Sequence, residues 1–282
     1  MTRGALHDHV CSEPESSPEG EESFWPSGLF SIQRRSRDMT LDQPETAQSG
    51  ISQRGSMESD QRHARIFGIL FIITFLTSIP ASFLFDSVLE DPAGYVAGGG
   101  NDNQIYLAVL LEFALILANV GTAVVLYPIA RRQNKALAIG YVAARIIECV
   151  FIAAGIIFVL GIVSLSQDSP GAADLALSLA ALKDWTALFG PGLIVPFGNG
   201  LILGYLMYKS GLVPRPMTWF GLIGGPILLI GSLFTLVDGW AEGSALPGLL
   251  VAPEFIWEAF LGIYCTIWGF RRDSPILQAS AR

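Results

Sequence analysis

Six long apolar runs are the feature that most constrains how this chain can fold. Each run is long enough to cross a bilayer, because a helix rises about 1.5 Å per residue and the hydrocarbon core is about 30 Å thick. Backbone polar groups inside lipid must be satisfied within the protein, so each run is predicted to be a helix. The runs cover residues 66–85, 105–127, 137–164, 188–208, 217–237 and 249–270. The sequence therefore predicts an all-α polytopic bundle of six transmembrane helices.

The composition is typical of a membrane-embedded chain. Hydrophobic residues make up 51% of the sequence and charged residues 15%, whereas a soluble domain has about 25% charged residues. Much of the net charge of -8 lies in residues 1–56, which hold nine acidic residues and five arginines. Because this charge belongs mainly to one polar segment, we predict no nucleic-acid partner.

The connections between the runs alternate in the sign of their charge. The basic residues are Arg54, Arg62, Arg65, Arg131, Arg132, Lys135, Lys209, Arg215, Arg271 and Arg272. The intervening connections carry Asp86, Glu90, Asp91 and Asp102, then Asp168, Asp174 and Asp184 beside Lys183, then Asp238, Glu242 and Glu254. Short cytoplasmic loops retain Lys and Arg, so both termini are predicted to be cytoplasmic. We expect a multi-pass protein of the cell (cytoplasmic) membrane, with the lipid bilayer as its partner.

The chain divides into three segments. Residues 1–61 are polar and rich in Ser, Glu, Pro, Gln and Gly, and such a segment buries too little apolar surface to fold, so a disordered tail is predicted. Residues 62–272 form the predicted transmembrane domain, and residues 273–282 form a short C-terminal tail. Within the third connection, Leu175, Leu179 and Leu182 recur at helical spacing. Residues 172–185 are therefore predicted to form a short helix that either lies along the outer surface or caps the bundle.

Charged and polar residues inside the apolar runs form the candidate site. Glu112 lies in the second run, Arg145 and Glu148 in the third, Asn199 in the fourth and Glu258 in the sixth. Arg145 and Glu148 are three residues apart and therefore share a helix face. Counting residues along each run predicts that these side chains meet in the outer half of the bundle. Each intramembrane charge costs about 2.5–3.5 kcal/mol on insertion scales, so such residues normally face the interior and pair.

Two interpretations of this polar zone stay open. One is an interhelical clamp, in which Arg145 pairs with Glu148 and one other glutamate. The other is a small binding site for a ligand, lipid or ion, and a permease for a small solute or ion is the alternative function. An intramembrane enzyme is disfavoured, because the runs contain no His and no paired Asp. We predict no catalytic residues, no metal and no cofactor, and a homo-oligomer is compatible with the sequence.

Glycines mark two further local features. The pairs Gly200/Gly204 and Gly221/Gly225 have the four-residue spacing that allows close helix approach. Gly211 is placed to end the fourth helix with a positive φ angle.

Several stretches of the sequence resemble a known membrane family. They are ARIFG at 64–68, AARIIE at 143–148, LGYLMYKSGLVPR at 203–215 and APEFIWE at 252–258. Over about residues 62–272 the chain resembles the family catalogued as domain of unknown function 4386. The resemblance implies a bacterial six-helix membrane protein without an assigned activity. It favours the predicted architecture and supplies no catalytic residues.

Overall fold

The computed structural model describes residues 44–169, 171–237 and 245–280 of the chain. Within these ranges it contains six helices that are long and apolar enough to cross a membrane. They are span 1 (Arg54–Leu89), span 2 (Asp102–Gln133), span 3 (Lys135–Asp168), span 4 (Ala173–Ser210), span 5 (Arg215–Leu236) and span 6 (Leu246–Ile267). The predicted all-α fold with six spans is confirmed.

Nine α-helices and three π-helical segments build the described part of the chain. The α-helices are α1 (Pro44–Leu89), α2 (Pro92–Gly94), α3 (Asp102–Gln133), α4 (Lys135–Asp168), α5 (Ala173–Ala187), α6 (Gly204–Ser210), α7 (Arg215–Leu236), α8 (Leu246–Ile267) and α9 (Pro275–Ser280). The π-helical segments are Tyr95–Gly99, Leu188–Ile194 and Pro196–Leu203.

The outward faces of the spans are strongly apolar. Leu76, Phe83, Leu110, Ile157 and Ile230 all have more than 60% of their surface exposed. A helix in a water-soluble bundle turns such side chains toward the core and places polar residues outside. The spans therefore have the surface of a protein dissolved in lipid.

The two ends of the bundle differ in charge. One end, called the basic end, holds Arg132 and Lys135 at the connection between spans 2 and 3. The opposite end, called the acidic end, holds Asp86, Asp102 and Asp168. This separation follows the alternation of charge in the sequence, because consecutive spans run in opposite directions.

Apolar side chains fill the interior near both ends and leave the middle to polar groups. The cluster at the basic end includes the fully buried Phe67, Leu126 and Trp257. The cluster at the acidic end includes Val88 and Ile162, which are also fully buried. Glu112, Arg145 and Glu148 lie on the stretch of their helices between these two clusters, whereas Glu258 lies beside Trp257 at the edge of the cluster at the basic end.

Span 4 is longer and less regular than predicted. Helix α5 (Ala173–Ala187) corresponds to the predicted short helix at 172–185, but it continues directly into the π-helical segments and α6. Its buried face is Ala176, Ala180 and Lys183, whereas Leu175 and Leu182 are exposed. The prediction of a separate surface or capping helix was therefore wrong. Of the three leucines, Leu175 and Leu182 lie on the exposed face of this helix, and Leu179 is partly buried against the apolar cluster that contains Val88 and Ile162.

The basic end is closed by local contacts. Gly211 ends α6 with a φ of 66°, as predicted. The chain after span 6 then packs back onto this end: the amide of Arg271 donates to Leu212 O at 2.8 Å, and Ser274 Oγ donates to Ser210 O at 2.8 Å. Leu277 in α9 is 2% exposed, so the segment assigned to a C-terminal tail is docked over its described residues.

An ion pair fixes the first part of span 1 at the basic end. The segment assigned to a polar tail, residues 1–61, lies outside the described residues as far as residue 43, and α1 begins at Pro44. Asp60 is 3% exposed and accepts two hydrogen bonds from Arg132, at 2.7 and 2.8 Å. Span 1 is thereby fixed to span 2 at the basic end.

At the acidic end, a phenol and a carboxylate order the connection between spans 1 and 2. Tyr95 Oη donates to Asp102 Oδ1 at 2.7 Å, and Tyr95 is 2% exposed. Burial raises the pKa of Tyr95, and the hydrogen bond to Asp102 raises it further, because both favour the protonated phenol.

Candidate binding site in the middle of the bundle

Arg145 is held in a closed ring of hydrogen bonds with two neighbours. Its Nη1 donates to Glu148 Oε2 at 2.7 Å, and its Nη2 donates to Asn119 Oδ1 at 2.5 Å. Asn119 Nδ2 donates in turn to Glu148 Oε1 at 2.9 Å. All three side chains are at least 94% buried. The ring joins span 2 to span 3 and neutralises the arginine with one carboxylate.

A second ion pair lies closer to the acidic end. Lys183 Nζ donates to Glu112 Oε1 at 2.7 Å, and the two side chains are 10% and 13% exposed. The ammonium group also lies 4.8 Å from the centre of the Phe85 ring, within range of a cation–π interaction. This pair joins span 2 to span 4.

A third polar contact joins spans 4 and 6. Asn199 Nδ2 donates to Glu258 Oε1 in a short hydrogen bond. The backbone carbonyl of Asn199 accepts a bond from Trp257 Nε1 at 3.0 Å. The side-chain nitrogen and the backbone carbonyl of Asn199 are therefore both hydrogen-bonded to span 6.

Glu254 differs from the other intramembrane carboxylates. It lies one helical turn before Glu258 on α8, so the two side chains share a face. Glu254 is 2% exposed, and neither of its carboxylate oxygens receives a hydrogen bond from any group in the described part of the chain. A buried polar group without a partner is rare and calls for an explanation, such as a bound water, a bound ion or a functional role.

A cavity of about 470 Å³ connects these groups. Every one of the six spans contributes to its wall. Its polar lining comprises Thr74, Ser78, Ser82, Asp86, Glu112, Asn119, Arg145, Glu148, Lys183, Asp184, Glu254 and Glu258. Asp86, Ser82 and Asp184 are exposed residues nearer the acidic end. The cavity therefore runs from exposed positions toward the middle of the bundle.

The structure distributes the predicted site residues over separate contacts. Arg145 and Glu148 pair with each other, as the clamp interpretation expects, but the third member of that contact is Asn119 and not a second glutamate. Glu112 and Glu258 are held by other partners. Four of the five predicted residues, all except Asn199, line the same cavity, and Asn199 donates a hydrogen bond to one of them, Glu258.

Three important residues were not predicted as part of the site. Asn119 is uncharged and gave no charge signal within its apolar run. Lys183 and Glu254 were counted with the charges of the connections, although Lys183 falls in the short helix predicted at 172–185 and Glu254 in the apolar run at 249–270. Both lie inside helices. Two signals pointed to them: Lys183 is an isolated base among acids on the side where bases are rare, and Glu254 is four residues from Glu258.

The cavity is lined by two ion pairs, an amide group and further carboxylates. In the described ranges no group of three or more His, Cys, Asp or Glu side chains is arranged to hold a metal ion. Fixed ion pairs, amide groups and free carboxylates can orient a polar or charged molecule, since a site of this kind needs few polar groups within an apolar wall.

The fold and the cavity together define a class: a multi-span membrane protein with a polar interior. A family model described as "Domain of unknown function (DUF4386)" matches residues 66–269, which is most of the chain. The protein belongs to this family. No curated protein and no solved structure matches the chain.

Proposed function

We propose that this membrane protein binds a small ligand in the central cavity, and that the ligand enters from the acidic end. The observation that carries the proposal is the cavity itself, about 470 Å³ in volume and lined by all six spans. Ligand pockets for small molecules have volumes of about 300–1,000 Å³ and combine apolar walls with a few polar groups. The cavity matches that description.

The direction of entry rests on charge. The cavity reaches Asp86 and Asp184 toward the acidic end, and the Lys and Arg residues of the connections lie at the basic end. Basic loops stay in the cytoplasm, so we place the acidic end outside the cell membrane and both termini inside. A ligand would then arrive from the external solution.

The clamp interpretation accounts for only part of the polar zone. The Arg145–Glu148–Asn119 ring and the Lys183–Glu112 pair each satisfy their own charges. A clamp gives no reason for Glu254, whose buried oxygens have no partner among the described residues. The clamps therefore form the rigid frame of the site, and Glu254 belongs to its ligand-binding part.

Cysteine accessibility tests the proposal. In a variant whose native cysteines are replaced by Ala, Ser78→Cys places a thiol in the cavity wall. Leu76→Cys, two residues earlier on the same helix, is the matched control, because Leu76 is 65% exposed and does not line the cavity. Thiols react as thiolates, which require water. We expect neutral iodoacetamide to modify Ser78→Cys at least about tenfold faster, and equal rates at the two positions would overturn the proposal.

A permease is the second candidate, and the backbone of span 4 favours it. Residues Leu188–Ile194 and Pro196–Leu203 are π-helical, and Pro191 and Val195 within this stretch line the cavity. Interrupted helices beside a central site are typical of transporters. Uptake into proteoliposomes is the test. A ligand that binds the purified protein should accumulate inside vesicles that contain the protein, and binding without uptake would exclude transport.

A further inference from the structure

We propose that the ligand is a small organic cation whose ammonium group is bound by Glu254 and Glu258. This inference rests on the proposed function, since it assigns a chemical class to the ligand of the same cavity. It depends on three independent observations: the balance of charge in the cavity, the free carboxylate of Glu254, and the size and character of the walls.

The charge balance favours a cation. Two basic side chains line the cavity, and each is already neutralised: Arg145 by Glu148 and Lys183 by Glu112, with both distances 2.7 Å. Glu254 remains without a basic partner among the described residues. Glu258 accepts its recorded hydrogen bond from an uncharged amide, and the basic group that acts on it, Arg145, is already paired with Glu148. The cavity thus carries an excess of carboxylate, which attracts cations and repels anions.

The entrance has the same sign of charge. Asp86 and Asp184 line the cavity and are exposed. Clefts lined by one sign of charge focus the field and raise the local concentration of the opposite ion. A cation approaching from the acidic end would therefore be drawn toward the cavity before it reaches the buried carboxylates.

The surroundings of Glu254 are built to hold a carboxylate close to the backbone. A Cβ atom added at Gly200 would lie 2.9 Å from Glu254 Oε2, so the carboxylate occupies space that only glycine leaves open. Burying an unpaired carboxylate is expensive unless a counter-charge or hydrogen bonds compensate it. An ammonium group offers three donors, and the carboxylates of Glu254 and Glu258, one turn apart on α8, can accept them.

The walls favour an organic ion over a bare inorganic one. The cavity volume of about 470 Å³ is many times that of one water molecule, which occupies about 30 Å³ in the liquid. Phe75, Ile152, Leu228 and Phe255 contribute apolar wall. Phe75 and Phe255 pack edge to face with ring centres 5.0 Å apart. Apolar and aromatic surface binds the hydrocarbon part of an organic ammonium ion, and aromatic rings also attract the cation.

Calorimetric titration of the full chain in lipid nanodiscs tests the inference with three probes of similar shape. They are n-butylammonium, n-butanol and butyrate, which are cationic, neutral and anionic, and sodium chloride at matched ionic strength serves as the inorganic probe. We expect saturable binding of butylammonium only. Equal binding of butanol, or any preference for butyrate, would overturn the inference, and so would competition by sodium as effective as butylammonium itself.

Two substitutions locate the bound ammonium group. Glu254→Gln and Glu258→Gln keep the shape and the acceptor oxygen but remove the charge, and each should weaken butylammonium binding by about tenfold or more. Glu90→Gln is the matched control, because Glu90 is an exposed glutamate that does not line the cavity, and it should leave binding unchanged. Unaltered binding in both folded cavity variants would overturn the assignment.

The failure of this inference can be told apart from that of the proposed function. If iodoacetamide modifies Ser78→Cys but butylammonium does not bind, the cavity is accessible and the cation assignment is wrong. If Ser78→Cys reacts no faster than Leu76→Cys, the cavity itself is not a site, and both proposals fail.

Discussion

At the scale of single residues, Arg145 is the side chain whose removal should reduce the stability of the fold most. It is 3% exposed, and it provides the positive charge that compensates the 94% buried Glu148. Arg145→Ala would leave that carboxylate without its charge partner, and breaking a buried pair from one side typically costs about 3–5 kcal/mol. We expect a corresponding fall in the thermal unfolding temperature of the purified protein, measured by differential scanning fluorimetry in detergent.

A paired substitution separates charge from packing at the same position. Arg145→Met combined with Glu148→Leu removes both charges and keeps apolar volume, so it should be less destabilising than Arg145→Ala alone. The exposed pair Arg271–Asp273 provides a control, because Arg271→Ala removes an ion pair whose members are 41% and 64% exposed and should leave the unfolding temperature unchanged. A double variant as unstable as Arg145→Ala would contradict the charge-pairing explanation.

Asp60 makes the second residue-scale prediction. Its carboxylate accepts hydrogen bonds from Nη1 and Nη2 of Arg132, at 2.7 and 2.8 Å, where α1 meets α3. Asp60→Asn keeps the size but loses the charge, so we expect destabilisation by about 1–2 kcal/mol, reduced by the partial exposure of Arg132. The free energy of unfolding of both variants is measured by urea or thermal unfolding. Glu58 is an exposed glutamate two residues earlier, and Glu58→Gln should leave that free energy unchanged. Equal effects of the two variants would show that Asp60 is not a tie between the helices.

At the scale of helices, the crossing of spans 4 and 5 depends on two glycines. A Cβ atom added at Gly200 would lie 2.6 Å from Gly225 Cα, which is backbone and cannot move aside. Gly200→Ala should therefore destabilise the protein by about 1–3 kcal/mol through overpacking. Gly140→Ala is the control, since its nearest contact would be 3.5 Å from a flexible Ile202 methyl, and it should be neutral or slightly stabilising. Thermal unfolding of both variants makes the comparison, and a tolerated Gly200→Ala would refute the close approach.

The same helices indicate how far the sequence can predict this molecule. All six spans were predictable, because long apolar runs have one stable solution in lipid. The close approach at Gly200 and Gly225 was suggested by their spacing patterns, but which helices would meet was not. The start of span 4 was missed, because residues 172–185, which include Lys183 and Asp184, were predicted to form a separate short helix in the third connection. Only the tertiary pairing of Lys183 with Glu112 allows that charge inside the bundle.

The site was less predictable than the fold, for a physical reason. Charges within apolar runs signal that they must be compensated, but a sequence does not say by which partner. The clamp interpretation paired Arg145 with Glu148 and one other glutamate, whereas Arg145 donates to Glu148 and to the side-chain oxygen of Asn119. Glu254 was counted with the fifth connection although it falls inside the sixth apolar run at 249–270, and α8 begins eight residues before it, at Leu246.

At the scale of the whole molecule, apolar clusters at both ends enclose a polar middle. Phe67 and Leu126 of the cluster at the basic end lie beyond the cavity-lining Thr74 and Asn119 on their helices, whereas exposed Asp86 and Asp184 line the cavity toward the acidic end. A transporter of this design would have to open the packing of this cluster to release its ligand at the basic end. The orientation of the bundle in the membrane therefore decides which solution supplies the ligand.

That orientation can be measured with two single cysteines in a background whose native cysteines are replaced by Ala. Asn101→Cys lies at the acidic end and is exposed, and Gln133→Cys lies at the basic end, where span 2 stops. Because Lys and Arg resist translocation, we expect a membrane-impermeant maleimide added to intact cells to label Asn101→Cys and to spare Gln133→Cys. Permeabilised cells should show labelling at both positions, which controls for thiol reactivity. The reverse pattern would place the acidic end in the cytoplasm, and the cavity would then draw its ligand from inside the cell.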